Sequence, residues 1–188
     1  MHELQRYAAE LEEQGGDYAP PVESWAPERT GDIDIVIRRD GSWVHEGGLI
    51  RRAKLARLFS TILRRDGEDY YLVTPVEKLR IKVEDAPFVA IALTVSGEGS
   101  KQRLEFKTNL GDRLVAGPDH PIAETIDNRD SEAPYILVRG RLWARIGRAV
   151  YYDLVALAER RHMDGEDVYG VWSDGAFFVL GRGRDVVE

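Results

Sequence analysis

The sequence contains no cysteine, and its four histidines are scattered. The absence of cysteine excludes disulfides, thiolate nucleophiles and sulfur-ligated metal sites. None of His2, His45, His120 and His162 pairs with another at the i, i+4 spacing that puts two imidazoles on one helix face. We therefore expect no metal site and no cofactor.

Long apolar runs are also missing. No stretch approaches the roughly 20 apolar residues that a membrane-spanning helix needs. The first residues, Met1 to Arg6, lack the charged-then-apolar pattern of an export signal. These absences predict a cytoplasmic protein without a membrane partner.

Common catalytic motifs are absent too. The chain has no Gly-x-Ser-x-Gly motif, which in hydrolases places a nucleophilic serine on a strand-to-helix turn. Gly97-Glu98-Gly99 lacks the third glycine of a dinucleotide-binding loop and opens no predicted helix, so it indicates a hairpin turn. The sequence favours a non-enzymatic function.

Charge is unevenly distributed along the chain. The formal net charge is −7, and residues 1–35 alone hold nine acids against Arg6 and Arg29. The remainder is therefore neutral in total. Binding to bulk nucleic acid depends on neutralising phosphates with lysine and arginine, so this balance argues against it.

Residues 70–88 organise the rest of the prediction. They indicate two strands interrupted at Pro75, because alternating apolar residues flank that proline. Five polar side chains lie close to the bends: Thr74, Glu77, Lys78, Glu84 and Asp85. Glu84 and Asp85 are adjacent, so in a regular strand they would diverge, which is poor geometry for shared acid–base chemistry.

The remaining pattern predicts an α+β fold with mainly antiparallel sheet. We expect an extended strap over 17–29, anchored by Trp25, and a central strand over Phe88 to Val95, which is apolar on both faces. The predicted helices cover 3–14, 51–64 and 149–161, and the predicted hairpins cover 32–45 and 169–180.

The two halves of the chain resemble each other. Four residues recur at a constant offset: Gly41, Gly48, Leu55 and Leu58 match Gly140, Gly147, Leu154 and Leu157. The Asp66-Gly67 turn also matches Asp164-Gly165. The alternative is a coincidence of common turn residues. A duplication predicts two related halves, each an antiparallel sheet with one helix, and a ligand cleft between them. The predicted domains are 1–22, 23–86 and 87–188.

The predicted helix at 51–65 carries only cations among its charged residues: Arg51, Arg52, Lys54, Arg57, Arg64 and Arg65. Two interpretations stay open. These side chains form a solvated outer face, or they form a site for an anion.

Several blocks together resemble the bacterial domain-of-unknown-function family 1285. They are Pro20 to Trp25, Gly31 to Ile35, Leu58 to Arg65, Val73 to Lys78, Val83 to Phe88, Thr108-Asn109 with Gly111, and His120-Pro121. The resemblance runs from about residue 18 to 180. The sequence departs from the family pattern around Gly47-Gly48-Leu49 and at Arg139-Gly140-Arg141.

The resemblance implies a duplicated α+β core whose C-terminal half is loosely like a pleckstrin-homology fold. It also implies a signalling role and a site between the halves for a nucleotide-like ligand. Transferred residue by residue, that ligand site comprises Thr74, Glu77, Lys78, Glu84, Asp85, Asn109, His120 and Arg139. No catalytic or metal-binding residue follows from it.

Three functions remain as hypotheses. The first is a non-enzymatic sensor or adaptor for a small anionic ligand, with Lys78 and Arg139 neutralising the anion. The second is a protein-interaction module that uses sheet edges or the basic helix to hold a protein partner. The third is a hydrolase or transferase that combines Glu84 or Asp85 with His120.

Overall fold

The computed structural model describes residues 6–7, 20–126 and 134–183. The chain divides into two compact units. One contains Met1–Pro87 together with Gly140–Leu142, and the other contains Phe88–Arg139 and Trp143–Glu188. Each unit combines a nine-residue α-helix with mainly antiparallel sheet, so the predicted α+β class with two similar halves is confirmed.

The N-terminal unit contains a six-stranded sheet in the order β3-β2-β1-β6-β5-β4. Neighbouring strands are antiparallel except β1 and β6, which are parallel. A short 3₁₀ helix at Val22–Ser24 precedes the sheet. The elements are β1 (Arg29–Ile37), β2 (Trp43–His45), β3 (Gly48–Leu49), α1 (Ala53–Thr61), β4 (Leu63–Asp66), β5 (Asp69–Val73) and β6 (Glu77–Val83).

The two strands predicted around Pro75 are confirmed as β5 and β6. Pro75 fixes its own φ and cannot donate a backbone hydrogen bond, so it occupies the turn between the strands. Along β6, Leu79 and Ile81 are buried while Arg80 and Lys82 are exposed. This alternation places one face of the sheet on the core, as the sequence pattern predicted.

The basic helix is shorter than predicted. The helix α1 ends at Thr61, and the chain continues at once into β4. Arg64 and Arg65 therefore lie on a strand and are buried, not on an exposed helix face. The prediction was wrong here because pairing of β4 with β5 overrides the helical propensity of this arginine-rich segment.

The strap over 17–29 packs on the N-terminal unit through Val22 as well as through the predicted anchor Trp25. Val22 is buried, while Trp25 is half-buried and meets the Tyr7 ring edge-on at 5.7 Å between centroids. Strand β1 begins already at Arg29. Most of the helix predicted over 3–14 and all of the connection at 127–133 lie outside the described residues.

The C-terminal unit contains two sheets, in the orders β10-β11-β12-β7-β8-β9 and β13-β14-β15. The pair β12 and β7 is parallel, whereas β10 with β11, β7 with β8, β8 with β9, β13 with β14 and β14 with β15 are antiparallel. The elements are β7 (Phe88–Ser96), a 3₁₀ helix (Gly99–Lys101), β8 (Arg103–Thr108), β9 (Arg113–Val115), β10 (Ile122–Ala123), β11 (Tyr135–Arg139), β12 (Leu142–Ile146), α2 (Arg148–Ala156), β13 (Glu159–Met163), β14 (Glu166–Ser173) and β15 (Ala176–Arg182).

Two predictions for this unit need correction. The helix predicted to reach residue 161 ends at Ala156, and Glu159–Met163 instead pairs with β14. The strand β7 is central only for its first three residues, because β12 pairs with Phe88, Val89 and Ala90 and then ends. The closing hairpin with its turn at Asp174-Gly175 is confirmed.

The order of elements recurs in the two units. In each, a two-stranded hairpin leads through a helix into a second hairpin, which turns at Asp66-Gly67 in one unit and at Asp164-Gly165 in the other. The pairing differs, since β4-β5 joins the main sheet while β13-β14 belongs to a separate one. Duplication and a pleckstrin-homology likeness stay predictions. Among the described residues, no helix is long and apolar enough to cross a membrane.

Candidate functional site

The turn between β5 and β6 holds the first group of predicted residues. The Thr74 N–H donates to the Glu77 carbonyl oxygen at 2.8 Å, which closes a tight turn over Pro75 and Val76. The Thr74 hydroxyl oxygen accepts the Glu77 N–H at 3.1 Å. The backbone of Glu77 is therefore fixed on both sides, and so is the direction in which its side chain leaves the strand.

The carboxylate of Glu77 is the least satisfied group in this turn. Glu77 is only 6% exposed, on the core side of β6. Among the described residues, its Oε1 has no hydrogen-bond partner. Its Oε2 lies 3.7 Å from Nη2 of Arg29, whose side chain is 71% exposed. We call Glu77, Arg29 and the Thr74 turn the Glu77 corner.

Lys78 points to the opposite face of β6. Its Nζ lies 3.1 Å from Oδ2 of Asp66 and 4.5 Å from the centroid of the Tyr71 ring. Asp66 also accepts two hydrogen bonds of 2.8 Å from Arg64. The Arg64 and Lys78 donors hold the pKa of the Asp66 carboxyl below its ordinary value. Lys78 is thus part of a charge network on the sheet.

Glu84 and Asp85 follow the other end of β6, and both meet Arg39. Oε2 of Glu84 accepts the Arg39 backbone N–H at 2.9 Å, and Oδ2 of Asp85 lies 3.6 Å from Arg39 Nε. They share this partner because β6 ends at Val83, so the strict alternation of a strand no longer separates them. Asp85 is buried, and Glu84 is exposed.

In the C-terminal unit, Asn109 secures the start of β7. Its Oδ1 accepts the Val89 N–H at 3.0 Å, and its own N–H donates to the Val89 carbonyl at 2.8 Å. Asn109 therefore binds both backbone groups of Val89, as a residue of a neighbouring strand would, although it lies in the turn that follows β8. This is a structural role that an asparagine in a Thr-Asn-Leu-Gly turn commonly fills.

Arg139 lies near the same strand. Its guanidinium is 5.2 Å from the centroid of the Phe88 ring and donates from Nη1 to Oδ1 of Asp112 at 3.3 Å. Burial lowers the pKa of the Arg139 guanidinium, and the nearby Asp112 carboxylate acts in the opposite direction. Asp112 is itself oriented by the Thr108 hydroxyl, which donates to Oδ2 at 2.8 Å.

His120 is held by β11. Its Nδ1 lies 3.0 Å from the carbonyl oxygen of Leu137, which makes this nitrogen the protonated one in a neutral ring. The backbone around it forms a compact turn, with reciprocal hydrogen bonds between Gly117 and His120. Among the described residues, no group of three or more histidine, cysteine, aspartate or glutamate side chains could hold a metal ion.

The eight predicted residues therefore fall into separate groups. Thr74, Glu77 and Lys78 share the start of β6, while Glu84 and Asp85 share Arg39 at its end. Asn109 and Arg139 both contact the start of β7, and His120 contacts β11. Sequence reasoning missed four partners of these residues, namely Arg29, Arg39, Asp66 and Asp112. The one available signal was Arg29, one of only two cations in the acidic segment 1–35.

The fold thus defines an α+β protein of two similar units, and comparison with known proteins identifies its family. The model of the N-terminal domain of the domain-of-unknown-function family DUF1285 matches residues 20–86. The model of the C-terminal domain of DUF1285, a family described as a protein of unknown function, matches residues 87–180. The chain belongs to the DUF1285 family. A comparison with curated proteins found no match.

Two solved structures resemble this chain. A DUF1285 family protein from Silicibacter pomeroyi DSS-3 is 44% identical, with a TM-score of 0.82 over 90% of this chain and 91% of that chain. A DUF1285 family protein from Shewanella baltica OS155 is 32% identical, with a TM-score of 0.50 over 63% of this chain and 87% of that chain. Both likenesses agree with the family assignment.

Proposed function

We propose that this DUF1285 protein is a non-enzymatic sensor or adaptor in cytoplasmic signalling, and that it binds a small anionic, nucleotide-like ligand at the Glu77 corner. The observation that supports the proposal is Oε1 of Glu77, a carboxylate oxygen in a buried side chain without a hydrogen-bond partner among the described residues. A ligand that donates a hydrogen bond to this oxygen would satisfy it.

An unsatisfied buried polar group is costly. Leaving such a group without a partner destabilises a fold by about 1–3 kcal/mol, and more when the group is charged. Native proteins keep few of these groups, and those that persist call for an explanation such as a binding role. Because the Thr74 turn already fixes the Glu77 backbone, a ligand would reach the buried oxygen through movement of side chains such as that of the exposed Arg29, without reordering of the backbone.

The corner also indicates the chemistry of the ligand. Oε1 of Glu77 accepts a hydrogen bond, which suits a hydroxyl or amino group. The guanidinium of Arg29 lies beside Oε2 and is mostly exposed, so it is available to a phosphate or carboxylate. A nucleotide carries both kinds of group, since its sugar and base donate while its phosphate accepts.

The two cations that the sequence assigned to the anion are already paired. Lys78 pairs with Asp66, and Arg139 pairs with Asp112. Either would have to leave its carboxylate before contacting a ligand, so the proposal gives Arg29 the first role. The contributions of Glu84, Asp85, Asn109 and His120 to ligand binding stay predictions.

Thermal unfolding in the presence of purine and pyrimidine mono-, di- and triphosphates tests the proposal. A ligand that binds only the folded state raises Tm by mass action. We expect at least one nucleotide to raise Tm, with inorganic phosphate alone giving a smaller rise. Glu77→Gln and Arg29→Ala should each remove most of the effect. Glu46→Gln, at a carboxylate that is 69% exposed, is the matched control and should retain it.

Two outcomes would contradict the proposal. One is the absence of any nucleotide-dependent change in the unmodified protein. The other is a change that Glu77→Gln leaves as large as before, because ligand binding would then occur elsewhere. Folding of each variant is checked by circular dichroism before the titration.

A protein-interaction module is the second candidate function. Arg51, Arg52 and Lys54 are exposed around the first turn of α1, which contains no acidic residue and no side-chain cap. Cations at this end oppose the helix dipole, so a partner's carboxylates would relieve the repulsion. A triple change to alanine should weaken capture of one specific partner without altering nucleotide shifts, whereas Lys101→Ala should not.

We infer further that the two units arose by duplication, with the C-terminal one resembling a pleckstrin-homology fold. The shared order of hairpin, helix and Asp-Gly hairpin supports this inference. Superposition of β1–β5 on β11–β14 should align Gly48 with Gly147 and Leu58 with Leu157. A superposition that requires a different alignment would argue for coincidence.

A further inference from the structure

The strand β7 loses one neighbour a third of the way along its length. Its first three residues pair with β12 on one side, and Gly147 donates a last hydrogen bond to the Ala90 carbonyl. From Ile91 to Ser96, β7 pairs only with β8. A register shift against β8 between Ala90 and Ala92 marks this point. Among the described residues, the other edge of this six-residue segment forms no backbone hydrogen bond.

This edge is unusually apolar. Residues 91–96 read Ile-Ala-Leu-Thr-Val-Ser and contain no charge, proline or glycine. Ile91 is 54% exposed and Val95 is 42% exposed. Natural sheet edges are usually protected by charge, proline, shortness or a covering element, because free backbone groups recruit other strands. This segment of β7 has no charge and no proline and is not short, and the helix α2 that lies against β7 leaves Ile91 and Val95 exposed.

The outer strands of the three sheets are protected by comparison. β3 and β10 have two residues each, and β9 has three. β4 and β13 are highly charged, with the sequences Leu-Arg-Arg-Asp and Glu-Arg-Arg-His-Met. β15 is apolar but half-buried, and it lies against β10. The contrast identifies the free part of β7 as the one unprotected edge in the described part of the chain.

We propose that this edge is a self-association surface, where β7 of a second copy pairs antiparallel with residues 91–96. Identical strands in antiparallel pairing are self-complementary about a twofold axis, so each copy presents the same patch to the other. In the register centred on Thr94, this residue lies opposite Thr94 of the second copy. The two six-stranded sheets then continue as one.

Charge at the ends of the segment favours a second copy over an unrelated strand. In that register, Gly97 of one copy lies opposite Ile91 of the other, so Glu98 follows directly beyond the pairing, beside the end of β12 where Arg148 begins α2. Glu98 and Arg148 are both exposed and have opposite charge. The twofold axis forms this acid–base pairing twice, while the neutral segment between the ends has no charge that would select a different partner.

The helix α2 adds apolar surface beside the edge. It lies against β7 and leaves Tyr152 and Val155 exposed. A stable dimer buries roughly 800 Å² per partner, which is more than six paired residues supply by themselves. The surface therefore fits a weak, concentration-dependent dimer more closely than an obligate one.

Sedimentation velocity over a range of protein concentrations is the first test. We expect a reversible monomer–dimer equilibrium in the unmodified chain. Thr94→Lys places like charges directly opposite each other, and we expect the dimer to weaken by roughly tenfold. Ser100→Lys, an exposed position in the 3₁₀ helix beyond the edge, is the matched control and should leave the equilibrium unchanged.

Cross-linking tests the register in a chain that has no native cysteine. Opposed residues of an antiparallel pair have Cβ atoms about 4.5–5.5 Å apart, close enough for a disulfide after a small adjustment. Thr94→Cys should form a disulfide-linked dimer under mild oxidation. Lys107→Cys, exposed on the neighbouring strand β8, should form little.

Three results would overturn the proposal: a monomer at every concentration, a dimer that Thr94→Lys does not weaken, or equal cross-linking through residues 94 and 107. A monomer that pairs through β7 only with a different protein would also overturn it, since the proposed occupant is a second copy. The Tm of both cysteine variants is compared with that of the unmodified chain, so that a difference in cross-linking is not caused by unfolding.

Discussion

The guanidinium of Arg64 and the carboxylate of Asp66 face each other through two hydrogen bonds of 2.8 Å, from Nε to Oδ1 and from Nη2 to Oδ2. The remaining donor, Nη1, reaches the carbonyl oxygens of Val22 and Trp25, each at 2.8 Å. One buried arginine therefore joins β4 to the strap that precedes β1. Its bidentate geometry is the strong form of a charged hydrogen bond.

Replacing Arg64 should release the strap. Arg64→Ala removes four hydrogen bonds and leaves two backbone carbonyls without their donor, so we expect the free energy of unfolding to fall by about 2–4 kcal/mol. Urea unfolding measures the loss. Limited proteolysis should also cut the strap faster. Arg64→Lys should restore only part of the stability, because an ammonium cannot span both sets of acceptors. Equal stability of Arg64→Ala and the unmodified chain would contradict this role.

Acid should weaken the same network. The Arg64 hydrogen bonds, followed by that of Lys78, lower the pKa of Asp66 in the folded protein relative to the unfolded chain. A lowered carboxyl pKa adds stability above the unfolded value, near pH 4, and that stability disappears as pH falls through the folded pKa. Asp66→Asn should therefore be less stable at neutral pH and lose less stability on acidification. Urea unfolding at several pH values from 7 to 3 measures this difference. If the free energy of unfolding falls equally with pH in Asp66→Asn and in the unmodified chain, the prediction is wrong.

Ser173 should be essential to the C-terminal unit. Its hydroxyl is buried, donates to the Ala116 carbonyl at 2.6 Å and accepts the Leu104 N–H at 2.9 Å. Ser173→Ala leaves both backbone groups without this partner, so we expect a loss of about 1–3 kcal/mol. Ser96→Ala, at an exposed strand end, is the control and should stay within about 0.5 kcal/mol of the unmodified chain. A Ser173→Ala variant as stable as the unmodified chain would contradict this role.

Gly170 and Gly181 should respond differently to the same change. A Cβ on Gly170 would clash with the Phe178 carbonyl oxygen and lie 2.8 Å from the Phe177 ring, whereas nothing lies within 4 Å of one on Gly181. Gly170→Ala should destabilise by about 1–3 kcal/mol through this overpacking. Gly181→Ala should be close to neutral. Thermal unfolding of both variants decides the point, and similar Tm values would contradict it.

Local pattern was sufficient for much of this fold. Alternating residues on β6, the proline between β5 and β6, and the Asp-Gly turns were all readable, because strand periodicity and turn chemistry act within a few residues. The block resemblance was sufficient for the family. The helix limits were less accurate, since Arg64 and Glu159 have good helical propensity but sit on strands whose partners lie further along the chain.

Contacts between distant residues were decided only by the tertiary structure. The sequence assigned Lys78 and Arg139 to an anionic ligand, and the fold pairs them with Asp66 and Asp112. The sequence marked Glu77 as polar and near a bend, and the fold buries it with one oxygen unpartnered among the described residues. β7 looked central because it is apolar on both faces, but where β12 stops depends on pairing. Periodicity specifies which face of a strand is apolar, and only the assembled sheet specifies what covers it.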